Sequence, residues 1–352
     1  MNGVLVGLFC WLTFFVIPKS ALAKNLRPKV VFTDWRDEDV HALIHLLEDP
    51  EIAATIRAIY PTGGNTVLKS TSVRRLVHGI GRRIPVVAGT SSESSESDSM
   101  PFPRAWDSES AFLLPPELPP QFERFESTDG LAVSHFSRLL RRHRGVPIDV
   151  VNLAPPTDLV KTIDNNPALA EQKLGTLYTV SSEISADTPE AALARHIDEG
   201  VFRRIYQLPE AMIRHSSGLA NGRLTRSPDH QTLQVKLDMA AEWHPALGPL
   251  FDEVNPSFGD LLVADLAKRG EVELKNTPYR WREVQNPVSG ESENAESTHA
   301  PRHVREVLHV DATHVVEAYL EGLMQVRHEK PLRFFHRRPG LPGRCRVLLK
   351  RF

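Results

Sequence analysis

Four carboxylates fall within six positions, at Asp34, Asp37, Glu38 and Asp39, inside the stretch VVFTDWRDEDVHALIHLL at residues 30–47. Like charges held this close raise one another's pKa values unless a cation or a hydroxyl-rich ligand offsets them. The loop therefore reads as a site for a hard, oxygen-seeking metal ion. The plain alternative is an ordinary helix start, with Asp37 as N-cap and Glu38 and Asp39 favoured by the helix dipole.

Such a loop needs rigid neighbours, and the flanking pattern supplies them. Residues 30–32 form an apolar β-type run, and Val40, Leu43, Ile44 and Leu47 recur at helical spacing on one face. The alternation then continues. A β-type run at 55–60 ends in Gly63-Gly64-Asn65, a helix is predicted over 66–80, and a short strand over 85–88. A helix follows Asp129-Gly130 to about His143, and a strand at 148–153 leads into a helix capped by Thr157. A strand at 177–180 leads to a helix starting near Pro189, a favoured first-turn residue. Residues 258–266 read as helix, 304–310 as strand and 312–323 as amphipathic helix, whereas 213–230 read as loop. This beat argues for an α/β fold, with a mostly parallel central sheet and helices on both faces. Ligands of such sheets sit beyond the carboxyl ends of the strands. Both the acidic loop and Gly64-Asn65 follow strand ends.

Three stretches depart from the beat. Residues 90–121, with SSESSESDS and a proline-rich run, read as a surface insertion, and residues 286–301 as a second low-complexity loop. The tail from 326 to 352 is basic, with interleaved Phe334, Phe335 and Phe352. It reads as a solvated or loosely docked tail, with an anionic-surface patch as the alternative. The whole chain has a formal net charge of -2, so no global attraction to nucleic acid or membrane is expected.

At the other end, the apolar run at residues 4–17 is shorter than the about 20 residues a spanning helix needs. Followed by Ala21-Leu22-Ala23, it reads as a signal peptide cleaved after Ala23, with an uncleaved anchor as the alternative. The expected organisation is thus a signal peptide at 1–23, one domain at 24–325 and the tail at 326–352, in a secreted or periplasmic protein. Cys10 leaves with the signal and Cys345 stays alone, so the mature chain has no internal disulfide.

The order of motifs resembles the inosine-uridine preferring nucleoside hydrolase family, of which the chain looks like a divergent member. TDWRDEDVHAL is similar to the family's Asp-rich loop, and IRAIYPTGGNTV to its second-strand segment ending in Gly-Asn. IPVVAGT resembles the third strand, STDGLA the Asp-Gly-Leu segment and VVNLAPPTDLV the Gly-Pro-Leu-Thr-Asn turn. TPEAALARHI and VLHVDATHVVEAYLEGL resemble the Asp-Pro-Glu-Ala-Ala helix and the closing strand and helix. The likeness runs from about residue 29 to 323.

The resemblance implies a hydrolase that cleaves the N-glycosidic bond of a nucleoside or related riboside with a calcium-activated water. Calcium would be held by Asp34, Asp39, the backbone carbonyl of Leu153 and Asp260. Asp34 would also act as base on that water, which attacks the anomeric carbon through an oxocarbenium-like state. Ribose hydroxyls would be gripped at Glu38, Asn65, Glu183 and Ser185. The partner is then a small molecule, with no specific nucleic acid and no membrane span, while self-association into a homo-oligomer stays open.

Several positions depart from the family pattern. Phe32 replaces the first Asp of the loop, Trp35 and Arg36 replace its Pro-Gly, Glu38 is a methylene longer than Asp, and Ser185 is shorter than Asn. Gly259 stands where a His that protonates the leaving base is usual. His244 is a candidate substitute or an ordinary histidine, Trp243 a base-stacking or a core aromatic, and His41 a structural residue. The alternative function is a catalytically degenerate nucleoside hydrolase-like binding protein.

Overall fold

The computed structural model describes residues 24–91, 130–181, 188–209, 219–220, 223–224, 258–269, 279–284 and 303–329. The signal segment, residues 92–121 of the expected insertion, the 286–301 loop and residues 330–352 of the tail, on which several expectations fall, lie outside them.

The chain enters through β1 (Lys29–Thr33), buried along its whole length. Val31 faces one apolar core while Val30 and Phe32 face another. A strand covered on both faces has no solvent side, which is why its sequence runs apolar instead of alternating. Next come α1 (Asp37–Glu48), the short α2 (Pro50–Thr55) and β2 (Ile56–Pro61), then α3 (Thr66–Gly79) and α4 (Leu131–Arg142). They are followed by β3 (Ile148–Asn152), α5 (Thr157–Asn165), α6 (Pro167–Lys173), β4 (Leu174–Ser181), α7 (Pro189–Asp198) and β5 (Arg204–Pro209). A two-residue-a-side hairpin, β6 (Leu219–Ala220) with β7 (Arg223–Leu224), precedes α8 (Gly259–Lys268), β8 (Tyr279–Val284), β9 (His303–Val310) and α9 (Ala312–Glu329).

The main sheet runs β2-β1-β3-β4-β5-β9-β8. Its first six strands are mutually parallel, and β8 joins β9 antiparallel at the edge. The expected α/β architecture is thus the observed one. Residues of α1, α3, α8 and α9 pack one face of the sheet, and those of α4, α5 and α7 the other. The chain steps from β1 to β2 on one side, then crosses to β3 on the other. The strand order therefore reverses at the β1/β3 pair, and the crevice outside the carboxyl ends of these two strands is the switch point where such sheets bind ligands. Asp34 follows β1 and Leu153 follows β3.

Some local expectations need correction. The helix after β3 starts at Thr157 with Pro156 as N-cap residue, so Thr157 is the first helical residue. The strand expected at 85–88 forms only a bridge between Val86 and Ile59. Pro85 has no N–H to extend the ladder, although its carbonyl accepts from Ile59 N at 2.9 Å. Residues 213–230, read as loop, include the β6/β7 hairpin. Helix α1 is buried nearly all round, not on one face, because α8 and α9 pack against it as well as the sheet. Its histidines meet partners there: His41 Nδ1 lies 3.1 Å from the Tyr319 hydroxyl, and His45 lies 3.1 Å from both Glu48 and Asp265. Among the described residues, no helix is long and apolar enough to cross a membrane.

Candidate functional site

The acidic loop turns sharply as it leaves β1. Trp35, 1% exposed, takes a φ of 59°, a left-handed conformation that costs a bulky side chain energy and persists only where its surroundings fix it. The Thr33 hydroxyl accepts from the Trp35 N–H at 3.1 Å and donates to Asp39 Oδ1 at 2.9 Å. The Arg36 N–H donates to Asp39 Oδ2 at 2.7 Å. Asp39, fully buried, is therefore the acceptor that closes the start of α1, and Arg36 is the N-cap residue. The expectation that Asp37 is the cap fails by one position: Asp37 is the first helical residue, and the carboxylate that caps comes from the third.

The same turn folds Arg36 back on its own loop. Its Nε lies 2.7 Å from Oδ2 of Asp34. The other oxygen of Asp34, Oδ1, is buried and, among the described residues, has no hydrogen-bond donor directed at it.

Helix α8 brings Asp260 to this loop. Burial, then the charges of Asp34 and Asp260, push the Asp39 carboxyl well above the usual carboxylate range. Burial, then Glu38 and Asp34, do the same to Asp260, with Arg36 opposing. Carboxyls raised by one another's charge in this way are short of the positive charge that would offset them. Among the described residues, two cations face the cluster: Arg36, and Lys69 from the second turn of α3. The Lys69 ammonium is lowered by burial but drawn back up by Asp34 and Asp39.

Asp34, Glu38, Asp39 and Asp260 thus lie near enough to act on one another's charge. Leu153 follows β3, its N–H donating to Phe32 O at 3.0 Å across the switch point. Asn65 sits at the carboxyl end of β2, exposed, with its side-chain oxygen accepting from Leu68 N at 3.0 Å as the N-cap of α3. Glu183, Ser185, Trp243 and His244 lie outside the described residues. Gly259 is buried as the first residue of α8, and Phe32 packs with Tyr60 and Phe136 at ring distances of 5.0 and 5.7 Å. Among the described residues, no group of three or more His, Cys, Asp or Glu side chains is gathered into a ready metal cluster. The oxygen-only donor set and the orphaned Oδ1 of Asp34 nevertheless fit a hard dication in kind.

Sequence reasoning missed Lys69 and the Arg36–Asp34 pair. A signal for Lys69 was present, since the first turns of a helix that starts at a strand's carboxyl end border the crevice. The Arg36 contact depends on the left-handed turn at Trp35, which no residue type announces.

No protein-family model matches the chain, and no curated protein matches it in sequence. Solved structures do resemble it in shape. An inosine-guanosine nucleoside hydrolase aligns with a TM-score of 0.58 and 15% identity, over 85% of this chain and 98% of that one. The inosine-uridine preferring nucleoside hydrolase from Bacillus anthracis aligns at 0.51 and 17%, over 85% and 98%. The type III effector protein XopQ, complexed with adenosine diphosphate ribose, aligns at 0.58 and 12%, over 85% and 94%. At these identities the likeness speaks for the fold, and the fold of this chain is the nucleoside hydrolase-like α/β fold.

Proposed function

We propose that the protein is a calcium-dependent N-glycosidase acting on a nucleoside or related riboside, exported with removal of residues 1–23. The observation that carries the reading is the carboxylate group at the β1/β3 switch point, with the buried, orphaned Oδ1 of Asp34 among its oxygens. Asp34, Asp39, Asp260 and the Leu153 carbonyl would hold the ion. Bound there, calcium would supply the positive charge the cluster is short of and would acidify a water for attack on the anomeric carbon.

The chain's own residues do the rest. Asp34 takes the water's proton. Glu38 and the free amide nitrogen of Asn65 engage ribose hydroxyls, with Glu183 and Ser185 as further contacts. Thr33 and the Arg36 N–H fix Asp39 so that the loop does not move as charge develops at the sugar. Gly259 supplies no proton to a leaving base, which favours substrates whose leaving group departs without one.

A second reading, a binding protein on the same fold, is favoured by the Arg36–Asp34 pair, which occupies the base, and by the likeness to an effector complexed with adenosine diphosphate ribose. Ribose release from a panel of nucleosides, with Asp39→Ala as control, decides between them. Release that Asp39→Ala abolishes supports hydrolysis. No release from any nucleoside, by a protein that still binds adenosine diphosphate ribose, supports binding.

A further inference from the structure

We infer that Arg36 is a tethered cation that competes with the metal for Asp34, so that calcium binds only as Arg36 is displaced; this rests on the metal reading above. The guanidinium comes from the same segment as two of the proposed ligands, Asp34 and Asp39, with Nε 2.7 Å from Asp34 Oδ2. Asp34 is 7% exposed, whereas the Arg36 side chain is 52% exposed, so it can swing into solvent without unpacking the core. Its backbone role is separate, because the N–H that caps Asp39 stays whatever the side chain does.

The electrostatics point the same way. Arg36 favours the ionised form of Asp260 from across the crevice, and Lys69 faces Asp34 and Asp39 from α3. The cluster thus carries a partial internal substitute for a dication. A guanidinium offers N–H donors in a fixed planar fork, and here one of them pairs with Asp34 Oδ2, whereas calcium takes six to eight oxygens gathered round one point. The tethered charge therefore satisfies Oδ2 of Asp34 but leaves its Oδ1 without a donor among the described residues. Calcium affinity is then set by the competition, and substituting Arg36 strengthens it.

The test is calorimetric calcium titration, with calcium-dependent thermal shift, on the full chain and on Arg36→Ala, Arg36→Gln and Arg36→Lys. Arg36→Gln keeps most of the stem, so it serves if Arg36→Ala folds poorly. The expected result is binding roughly tenfold tighter or more in Arg36→Ala and Arg36→Gln, the scale of one charge-assisted hydrogen bond. Arg36→Lys is expected to stay near the parent. Equal affinity in all four proteins, or weaker binding in Arg36→Ala and Arg36→Gln, overturns the competition and leaves the metal reading standing. No binding by any of them overturns the metal reading itself.

Discussion

Asp39 holds the N-terminus of α1 through both of its oxygens, one on the Thr33 hydroxyl at 2.9 Å and one on the Arg36 N–H at 2.7 Å. A residue proposed to bind metal is thus also the clasp of its own loop. The two roles separate by substitution. In Asp39→Asn the amide oxygen still accepts from Arg36 N, the amide nitrogen donates to a rotated Thr33 hydroxyl, and the repulsion from Asp34 and Asp260 is relieved. Metal-free stability in urea is expected within about 1 kcal/mol of the parent, while calcium-dependent stabilisation disappears. Asp39→Ala leaves two buried donors without an acceptor and is expected to lose roughly 1–3 kcal/mol.

Gly89 ties the strand segment beside β2 to α5. A Cβ there would meet Asp158 Oδ2 at 2.2 Å and Pro61 O at 2.8 Å. Asp158 accepts from the Thr90 N–H at 2.8 Å and hydroxyl at 2.5 Å, so it cannot simply move aside. Gly89→Ala is expected to destabilise by about 1–3 kcal/mol in equilibrium unfolding.

A buried ionic group joins α1 to α8. Arg269 Nε lies 2.6 Å from Asp265 Oδ2, and His45 Nε2 lies 3.1 Å from Oδ1. Burial alone would raise Asp265, but the His45 and Arg269 contacts outweigh it and hold the carboxyl well below the usual range. Because the folded pKa is depressed, this contribution is full above about pH 4 and is lost as pH falls through the folded value. Asp265→Asn is expected to cost roughly 3–5 kcal/mol at pH 7. Its urea midpoint should fall less steeply than the parent's below pH 4.

At the amino end of β1 Lys29 is fully buried, its ammonium donating to the carbonyls of Asn25 and, at 2.9 Å, Arg27. Burial, partly countered by Asp149, pushes it down to about 8. The unfolded chain keeps this proton up to about pH 10.4. Between about pH 8 and 10.4 the unfolded state binds more protons, so the lysine's contribution to stability rises with pH. Lys29→Met removes that rise, and parent and variant compared in urea from pH 7 to 10.5 are expected to diverge in this way.

Helices α1, α3, α4 and α9 were legible because burial imposes a period on side-chain type, and β1 because a strand covered on both faces reads as an unbroken apolar run. Strand β5, inside the sheet between β4 and β9, was not read. Its RIYQLP carries Arg204 and Tyr206 instead of an unbroken apolar run, and its polar parts are accommodated by tertiary contacts: Tyr178 stacks on Tyr206 at 5.4 Å, and Arg305 lies over the same ring. Helices α2 and α6, of six and seven residues, are too short to show a period. In the site, Asp34, Asp39 and Asp260 were legible as residue types in order. The charges that answer them were not, because Arg36 reaches Asp34 only through the turn at Trp35, and Lys69 faces the cluster only once α3 packs against the sheet.

The most direct measurement is a crystal structure of the full chain grown in millimolar calcium. The expected result is one ion within about 2.3–2.6 Å of oxygens from Asp34, Asp39, Asp260 and the Leu153 carbonyl, with the Arg36 side chain turned off Asp34. Arg36 still paired with Asp34, and no ion among the four residues, would contradict the metal centre on which the proposed hydrolysis depends.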